Sequence, residues 1–138
     1  MDDAIMKLYT DGACRGNPGS GGAGAVLIDT NGNTVAMFKK YLGLCTNNEA
    51  EYGALILGLE EALKRKYRRL YIFMDSELLV KQINGAYQVK NNRLKALMQD
   101  VRKMLSFLDE YKIEHIGRNL NQAADRLANE AIDEALHE

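Results

Sequence analysis

Residues 4–10 alternate apolar and polar positions and predict a strand; residues 23–29 predict a second. Asn31-Gly32 between runs of apolar residues is a strong hairpin signal, because both residue types accept the positive φ of a tight turn. It leads into a third strand over roughly 34–42, so the chain is expected to open as an antiparallel meander. At Thr46 the period changes. Thr46-Asn47-Asn48-Glu49 has the form of a capping box. Tyr52, Leu55, Ile56, Leu59, Ala62 and Leu63 then recur at helical spacing. This helix has the length of a crossover to a strand at 69–74, and right-handed βαβ connection predicts parallel pairing of the first and fourth strands. Helices follow over about 76–84, ending at Gly85, and about 92–108, with Leu94, Leu97, Val101, Met104, Leu105 and Leu108 on one face. A short strand at 111–116 precedes a last helix that starts near Asn121 and turns Ala124, Leu127, Ala128, Ala131 and Ala135 inward. The order βββαβααβα predicts an α/β fold, a mixed five-stranded sheet with helices on its faces.

Four acids fall at the junctions of these elements. Asp11 closes the run Leu8-Tyr9-Thr10-Asp11-Gly12 and is expected to open a glycine-rich turn. Asp75 ends the strand Leu70-Tyr71-Ile72-Phe73-Met74, just before Ser76 begins a helix. Glu51 and Asp125 are expected in the first turns of their helices, where the helix dipole favours an anion. Glu49 and Glu51 flank the same apolar face, and periodicity does not choose between them. The capping box gives Glu49 a structural task, which leaves Glu51 as the free carboxylate. Sites in open α/β sheets form at the carboxyl ends of strands. Converging carboxylates repel unless they are protonated or bridged by cations. Hard divalent ions with oxygen ligands, Mg²⁺ above all, are the natural bridge.

Composition narrows the alternatives. At 138 residues the chain is expected to be a single domain spanning 1–138, long enough for a real core. It has no apolar run of about 18 residues, so no membrane span is expected. The start Met1-Asp2-Asp3 is acidic and no signal-peptide pattern follows. Cys14 and Cys45 form no metal-type pair and are expected as free thiols, in keeping with a cytoplasmic protein. The net charge of −1 lacks the basic excess of a dedicated nucleic-acid binder, so any such role must rest on local patches. Lys81, Lys90, Arg93 and Lys95 form one. The denser run Lys64-Arg65-Lys66 with Arg68-Arg69 lies at a helix C-terminus, where cations suit the dipole, and reads as solvated structure. No apolar surface stripe demands a dimer, and a monomer is the default expectation.

Several motifs fail on context. Gly19-Ser20-Gly21-Gly22-Ala23-Gly24 fits GxGxxG, but a dinucleotide fingerprint opens a helix and here a strand follows. The glycines are expected to permit a tight turn and close approach by a ligand. No GK[ST] follows, no His/Cys cluster has zinc spacing, and no nucleophile sits beside a base of the Ser/His or Cys/His kind. His115 alternates with Ile113 on a strand and reads as a packed or hydrogen-bonded residue.

The blocks Tyr9-Thr10-Asp11-Gly12-Ala13-Cys14-Arg15-Gly16-Asn17-Pro18-Gly19, Thr46-Asn47-Asn48-Glu49-Ala50-Glu51, Asp75-Ser76 and Ala124-Asp125-x-Leu127-Ala128-Asn129 closely resemble the type 1 ribonuclease H family, in order over nearly the whole chain. The resemblance implies the ribonuclease H fold with sheet order 3-2-1-4-5 and helices on both faces. It implies endonucleolytic cleavage of the RNA strand of RNA–DNA hybrids, leaving 5′-phosphate and 3′-hydroxyl ends. Asp11, Glu51, Asp75 and Asp125 match the family's metal-binding acids, which implies two Mg²⁺ (or Mn²⁺) ions acting on an in-line displacement with substrate bound. Cys14, Gly16, Asn17 and Asn48 match minor-groove positions, where the 2′-hydroxyl marks the RNA strand. Thr46 and Asn91 match a pocket for a DNA phosphate. Ile116-Gly117-Arg118-Asn119-Leu120-Asn121 resembles variants without a histidine loop, so the auxiliary group is Arg118, His115 or neither. Asn84-Gly85-Ala86-Tyr87-Gln88 is short where some members carry a basic protrusion, and no hybrid-binding domain is expected before residue 4. The rival expectations are a same-fold nuclease that also cuts duplex RNA and a non-catalytic hybrid-binding module.

Overall fold

Three long strands come first: β1 (Met6–Gly16), β2 (Gly19–Ile28) and β3 (Thr34–Cys45). A computed structural model of the chain describes residues 4–137; the acidic start Met1-Asp2-Asp3 lies outside the described residues. Helix α1 (Asn47–Lys64) leads to β4 (Arg69–Met74), and α2 (Glu77–Ile83) and α3 (Asn92–Leu105) to β5 (Glu110–His115). A single 3₁₀ turn at Arg118–Leu120 then enters α4 (Gln122–Leu136). The sheet order is β3-β2-β1-β4-β5, with β1 antiparallel to β2 and parallel to β4. This is the expected mixed five-stranded sheet. Among the described residues no helix is long and apolar enough to cross a membrane.

The first correction concerns the glycine-rich block. No turn opens at Asp11. β1 runs on to Gly16 and pairs with β2 from Lys7↔Ile28 through Asp11↔Gly24 to Gly16↔Gly19. A ladder is made by backbone groups, so side-chain alternation understates a strand built from small residues. The expected turn at Asn31-Gly32 does form. Gly32 has φ +86°, and the Asp29 carboxylate accepts the N–H groups of Asn31 and Asn33, both at 2.9 Å.

The second correction concerns α1. Its sequence shows one apolar face, yet Ala50, Ala54, Leu57 and Gly58 are buried together with Tyr52, Leu55, Leu59 and Ala62. The helix lies between the sheet and α3, so two of its sides are dry. α3 supplies Leu94, Met98, Val101 and Leu105 to the same core as Leu8, Leu27, Leu70 and Ile72 of the sheet. The Tyr52 hydroxyl donates to Gln82 Oε1 at 2.8 Å and ties α1 to α2 inside this core.

α1 and α4 cover opposite faces, as alternation along β1 requires. Gly12 lies under α1: a Cβ there would fall 2.2 Å from the Ala50 carbonyl. Gly24, the partner of Asp11, lies under α4: a Cβ there would fall 2.2 Å from the Ala124 carbonyl. Both glycines are therefore needed for helix backbone to rest on strand backbone. The basic run Lys64–Arg69 is engaged at the surface as expected: Lys64 and Arg65 pair with Glu61, Arg69 pairs with Glu110, and Arg65 also covers the Phe38 ring at 4.6 Å.

Candidate active site

The parallel ladder between β1 and β4 ends at Thr10↔Met74. The next residues on the two strands are Asp11 and Asp75, so the topology itself delivers two carboxylates to one edge of the sheet. Asp11 is mid-strand in β1, yet it stands at the carboxyl end of the parallel section, where open α/β sheets form sites. Glu51 arrives from α1. It is the fifth residue of that helix, one turn later than the expected first turn. The Gly12 N–H donates to Glu51 Oε1 at 2.9 Å, a bond made possible by the close approach of α1 at Gly12. One oxygen each from Asp11, Glu51 and Asp75 lies within 4.8 Å of the others. Asp125 is in the first turn of α4 as expected and lines the same cavity, but it stands outside that tight trio.

The cavity holds about 470 Å³ and is lined by Asp11, Gly12, Ala13, Cys14, Asn47, Glu51, Asp75, Arg118 and Asp125. Its electrostatics are those of crowded acids. Burial, then Glu51, Asp75 and Asp125, push the Asp11 carboxyl up from 3.8 to about 9. Burial pushes Glu51 up from 4.5 to about 7, against the Gly12 N–H bond and the Arg118 charge, which both favour its ionised form. Without a cation, the cluster therefore keeps a proton near neutral pH.

A second cavity of about 480 Å³ adjoins the first through Asn47 and is lined by Asn17, Thr46, Asn47, Asn48, Glu49, Asn91, Arg93 and Leu94. Thr46 and Asn91, expected in one pocket, do share it. Their side chains also cap the flanking helices. Thr46 Oγ1 accepts from the Glu49 N–H at 3.2 Å, and Glu49 Oε1 accepts from the Thr46 N–H at 2.8 Å, which completes the predicted capping box. Asn91 Oδ1 accepts the N–H groups of Arg93 and Leu94. The other Glu49 oxygen meets Arg93 Nε at 2.9 Å, so Glu49 is structurally occupied and Glu51 is the acid of the first cavity. Thr46→Ala is expected to cost about 1 kcal/mol of stability, read as a lowered midpoint in urea. An unchanged midpoint would show that the cap contributes nothing.

Of the remaining expected contacts, Cys14 lines the first cavity, and Asn17 and Asn48 line the second. Cys14 is a free thiol whose Sγ lies 2.7 Å from the Gly16 carbonyl oxygen and 2.9 Å from that of Cys45, so its one S–H has two acceptors in reach. Asn17 Oδ1 accepts the Asn47 N–H at 3.1 Å, which joins the β1–β2 tip to the start of α1. Gly16 is exposed and lines neither cavity; its φ of +100° makes the turn that presents Asn17. Arg118 lines the acidic cavity, whereas His115, the exposed last residue of β5, lines neither.

Two residues escaped the sequence reading of the site. Arg93 was visible only as one member of a basic patch. Asn121 was visible only as the start of a helix; it is 1% exposed and its side chain makes no capping bond. Its Nδ2 donates instead to the Thr10 carbonyl at 2.9 Å and to Asp75 Oδ2 at 3.1 Å.

A 3-2-1-4-5 mixed sheet with acids gathered where β1 and β4 part defines the ribonuclease H class of α/β folds. A family model described as reverse transcriptase-like matches residues 9–131. Ribonuclease HI of Halobacterium salinarum is 41% identical over 130 residues, covering 94% of this chain and 65% of that protein. The crystal structure of RNase H1 from this halophilic archaeon matches with a TM-score of 0.92 at 39% identity, over 94% of this chain and 98% of that one. LC11-RNase H1, solved in complex with an RNA/DNA hybrid, matches with a TM-score of 0.90 at 40% identity, over 95% of this chain and 99% of that one. The chain belongs to the type 1 ribonuclease H family. It spans 65% of the halobacterial relative's length and 36% of that of the Mycobacterium tuberculosis bifunctional protein Rv2228c, to which it is 41% identical.

Proposed function

We propose that this protein is a divalent-metal-dependent endoribonuclease that hydrolyses the RNA strand of RNA–DNA hybrids. The observation that carries this reading is the trio of oxygens from Asp11, Glu51 and Asp75 within 4.8 Å, with Asp125 on the same cavity wall. The donor set fits a hard cation: it is all carboxylate oxygen, and an ion offsets the burial and then the repulsion from Glu51 and Asp75 that otherwise hold a proton on Asp11. Asp11, Glu51, Asp75 and Asp125 would hold two Mg²⁺ ions, with Mn²⁺ as the substitute. When bound, such ions supply Lewis-acid activation of water and stabilisation of the leaving oxygen in an in-line displacement at phosphorus. Hydrolysis of the P–O3′ bond puts the water oxygen on a 5′-phosphate and a proton on the released 3′-oxygen.

The chain's own residues then orient the hybrid. Asn17, Asn48 and Cys14 stand along the two cavities, where a ribose-bearing strand would be read by its 2′-hydroxyls, and the Gly16 turn outside them presents Asn17. The second cavity suits a phosphate of the DNA strand: Thr46 and Asn91 lie at the N-termini of α1 and α3, and Arg93, paired with Glu49 on the same wall, is its basic side chain. Arg118 is the auxiliary group supported by position, because it shares the cavity with the acids and His115 does not. The solved hybrid complex of the 40% identical LC11-RNase H1 supports the substrate class.

End-labelled RNA–DNA hybrid, duplex RNA, duplex DNA and single-stranded RNA, each with Mg²⁺ and with chelator, test this reading. Metal-dependent cutting of the hybrid's RNA strand, with new 5′-phosphate ends, is expected. Equal cutting of duplex RNA would widen the substrate class. Binding of hybrid without any cutting, in Mg²⁺ or Mn²⁺, would make the protein a binding module and sink the enzymatic reading.

A further inference from the structure

We propose that Asn121 is a positioning residue, whose buried amide ties the Asp75 carboxylate to the β1 backbone and so fixes where Asp75 meets Asp11 and Glu51. The inference rests on the reading of these acids as metal ligands. Asn121 occupies the N-cap position of α4, where an asparagine ordinarily accepts a helix N–H through Oδ1. Here it makes no such bond, and its Oδ1 is buried without a partner among the described residues. A buried polar atom left unpaired in this way calls for a cause. The cause lies at the other end of the amide, where one NH₂ group serves the Thr10 carbonyl at 2.9 Å and Asp75 Oδ2 at 3.1 Å.

The geometry fixes which way the amide faces. Both partners are acceptors, a carbonyl and a carboxylate, so the NH₂ must face them; the reversed amide would set three oxygens against one another. Thr10 is the last β1 residue paired with β4 and the neighbour of Asp11. Asn121 also stands one turn before Asp125, whose N–H donates to the Asn121 carbonyl at 3.1 Å. One buried side chain thus joins three of the four segments that carry the acids: β1, the end of β4 and the start of α4. Groups that hydrogen-bond metal ligands orient them, and their loss commonly weakens metal binding about 10–100-fold.

The test titrates Mn²⁺ alone into the protein, following free ion by electron paramagnetic resonance. Wild type, Asn121→Ala, Asp75→Asn and the double variant are compared, with far-UV circular dichroism melts and hybrid kinetics alongside. Asn121→Ala is expected to weaken Mn²⁺ binding about 10–100-fold and to lower kcat by a similar factor, with KM for hybrid within about twofold. On the Asp75→Asn background the same change is expected to have less than about a twofold effect on Mn²⁺ affinity, because the ligand it positions is already altered. Asn121→Ser, which keeps one donor, carries the same comparison if the alanine variant does not fold. Equal losses on both backgrounds, or unchanged Mn²⁺ affinity in a folded variant, overturn the proposal. Wild type that binds Mn²⁺ but cuts no hybrid removes the proposed function while leaving the Mn²⁺ comparison decisive for Asn121. Wild type that binds no Mn²⁺ overturns both.

Discussion

Asp11→Asn is expected to abolish hybrid cleavage while making the metal-free protein more stable near neutral pH. The two effects have one origin. Asp11 is 5% exposed and sits among three other carboxyls. With cations bound, its charge is a ligand; replacing it with a neutral amide removes several kcal/mol of transition-state stabilisation, on the order of 10³-fold or more in kcat. Without cations the same carboxyl is a liability. In the unfolded chain it ionises at an ordinary 3.8, whereas in the fold burial, foremost, and then Glu51 and Asp75 keep it protonated up to about 9. The native state therefore holds a proton that the unfolded state has lost, and stability falls as pH rises between about 4 and about 9. Glu51, raised from 4.5 to about 7 mainly by burial, adds to the fall over its narrower window.

Asparagine has no proton to lose, so the variant escapes the Asp11 share of this loss. Melting in chelator should show Asp11→Asn above wild type at neutral pH, with the gap closing as pH falls toward about 4. Added Mg²⁺ should then stabilise wild type more than the variant, because only ions that bind the native state shift the equilibrium. Cutting at near the wild-type rate would falsify the assignment of Asp11. A variant melting below wild type in chelator at every pH would refute the crowded-acid electrostatics.

Gly24→Ala is expected to cost about 3 kcal/mol of stability and to damage cleavage, although position 24 touches no predicted substrate. The added methyl would lie 2.2 Å from the Ala124 carbonyl oxygen, 2.8 Å from the Ala128 nitrogen and 2.9 Å from the Leu127 Cβ. Two of these are helix backbone and cannot rotate away, so α4 must lift from the sheet. Asp125 follows Ala124 on that helix and moves with it, away from Asp11, which pairs with Gly24. Gly32→Ala is the informative control. Its φ is +86° and nothing lies within 4 Å, so it pays only the left-handed backbone penalty of about 1–2 kcal/mol. Gly32→Ala should leave cleavage intact. If Gly24→Ala matches it in both stability and activity, close packing of α4 is not what places Asp125.

The sequence by itself determined what depends on neighbours along the chain. Period-two and helical spacing marked the five strands and the main helices. The Thr46–Glu49 capping box separates Glu49 from Glu51 on local sequence alone. The crossover length gave the parallel pairing of β1 and β4, and with it the meeting of Asp11 and Asp75. These signals are local, set by backbone geometry and by which side chains share a face.

The tertiary structure alone decided what depends on approach between distant segments. It carried β1 through the glycine block to Gly16, because β2 supplies backbone partners whatever the side chains. It buried α1 on two sides, since Ala50 and Gly58, which the periodicity left off the apolar face, rest on β1 at Gly12, Leu8 and Thr10. It put Arg118 rather than His115 beside the acids, and it turned Asn121 from a helix cap into a tie between Thr10 and Asp75. An asparagine before a helix reads the same whether its amide caps that helix or reaches a carboxylate 46 residues earlier. Only the packing of α4 on the sheet chooses between these partners, because the energy of a hydrogen bond depends on distance and angle, which a sequence does not contain.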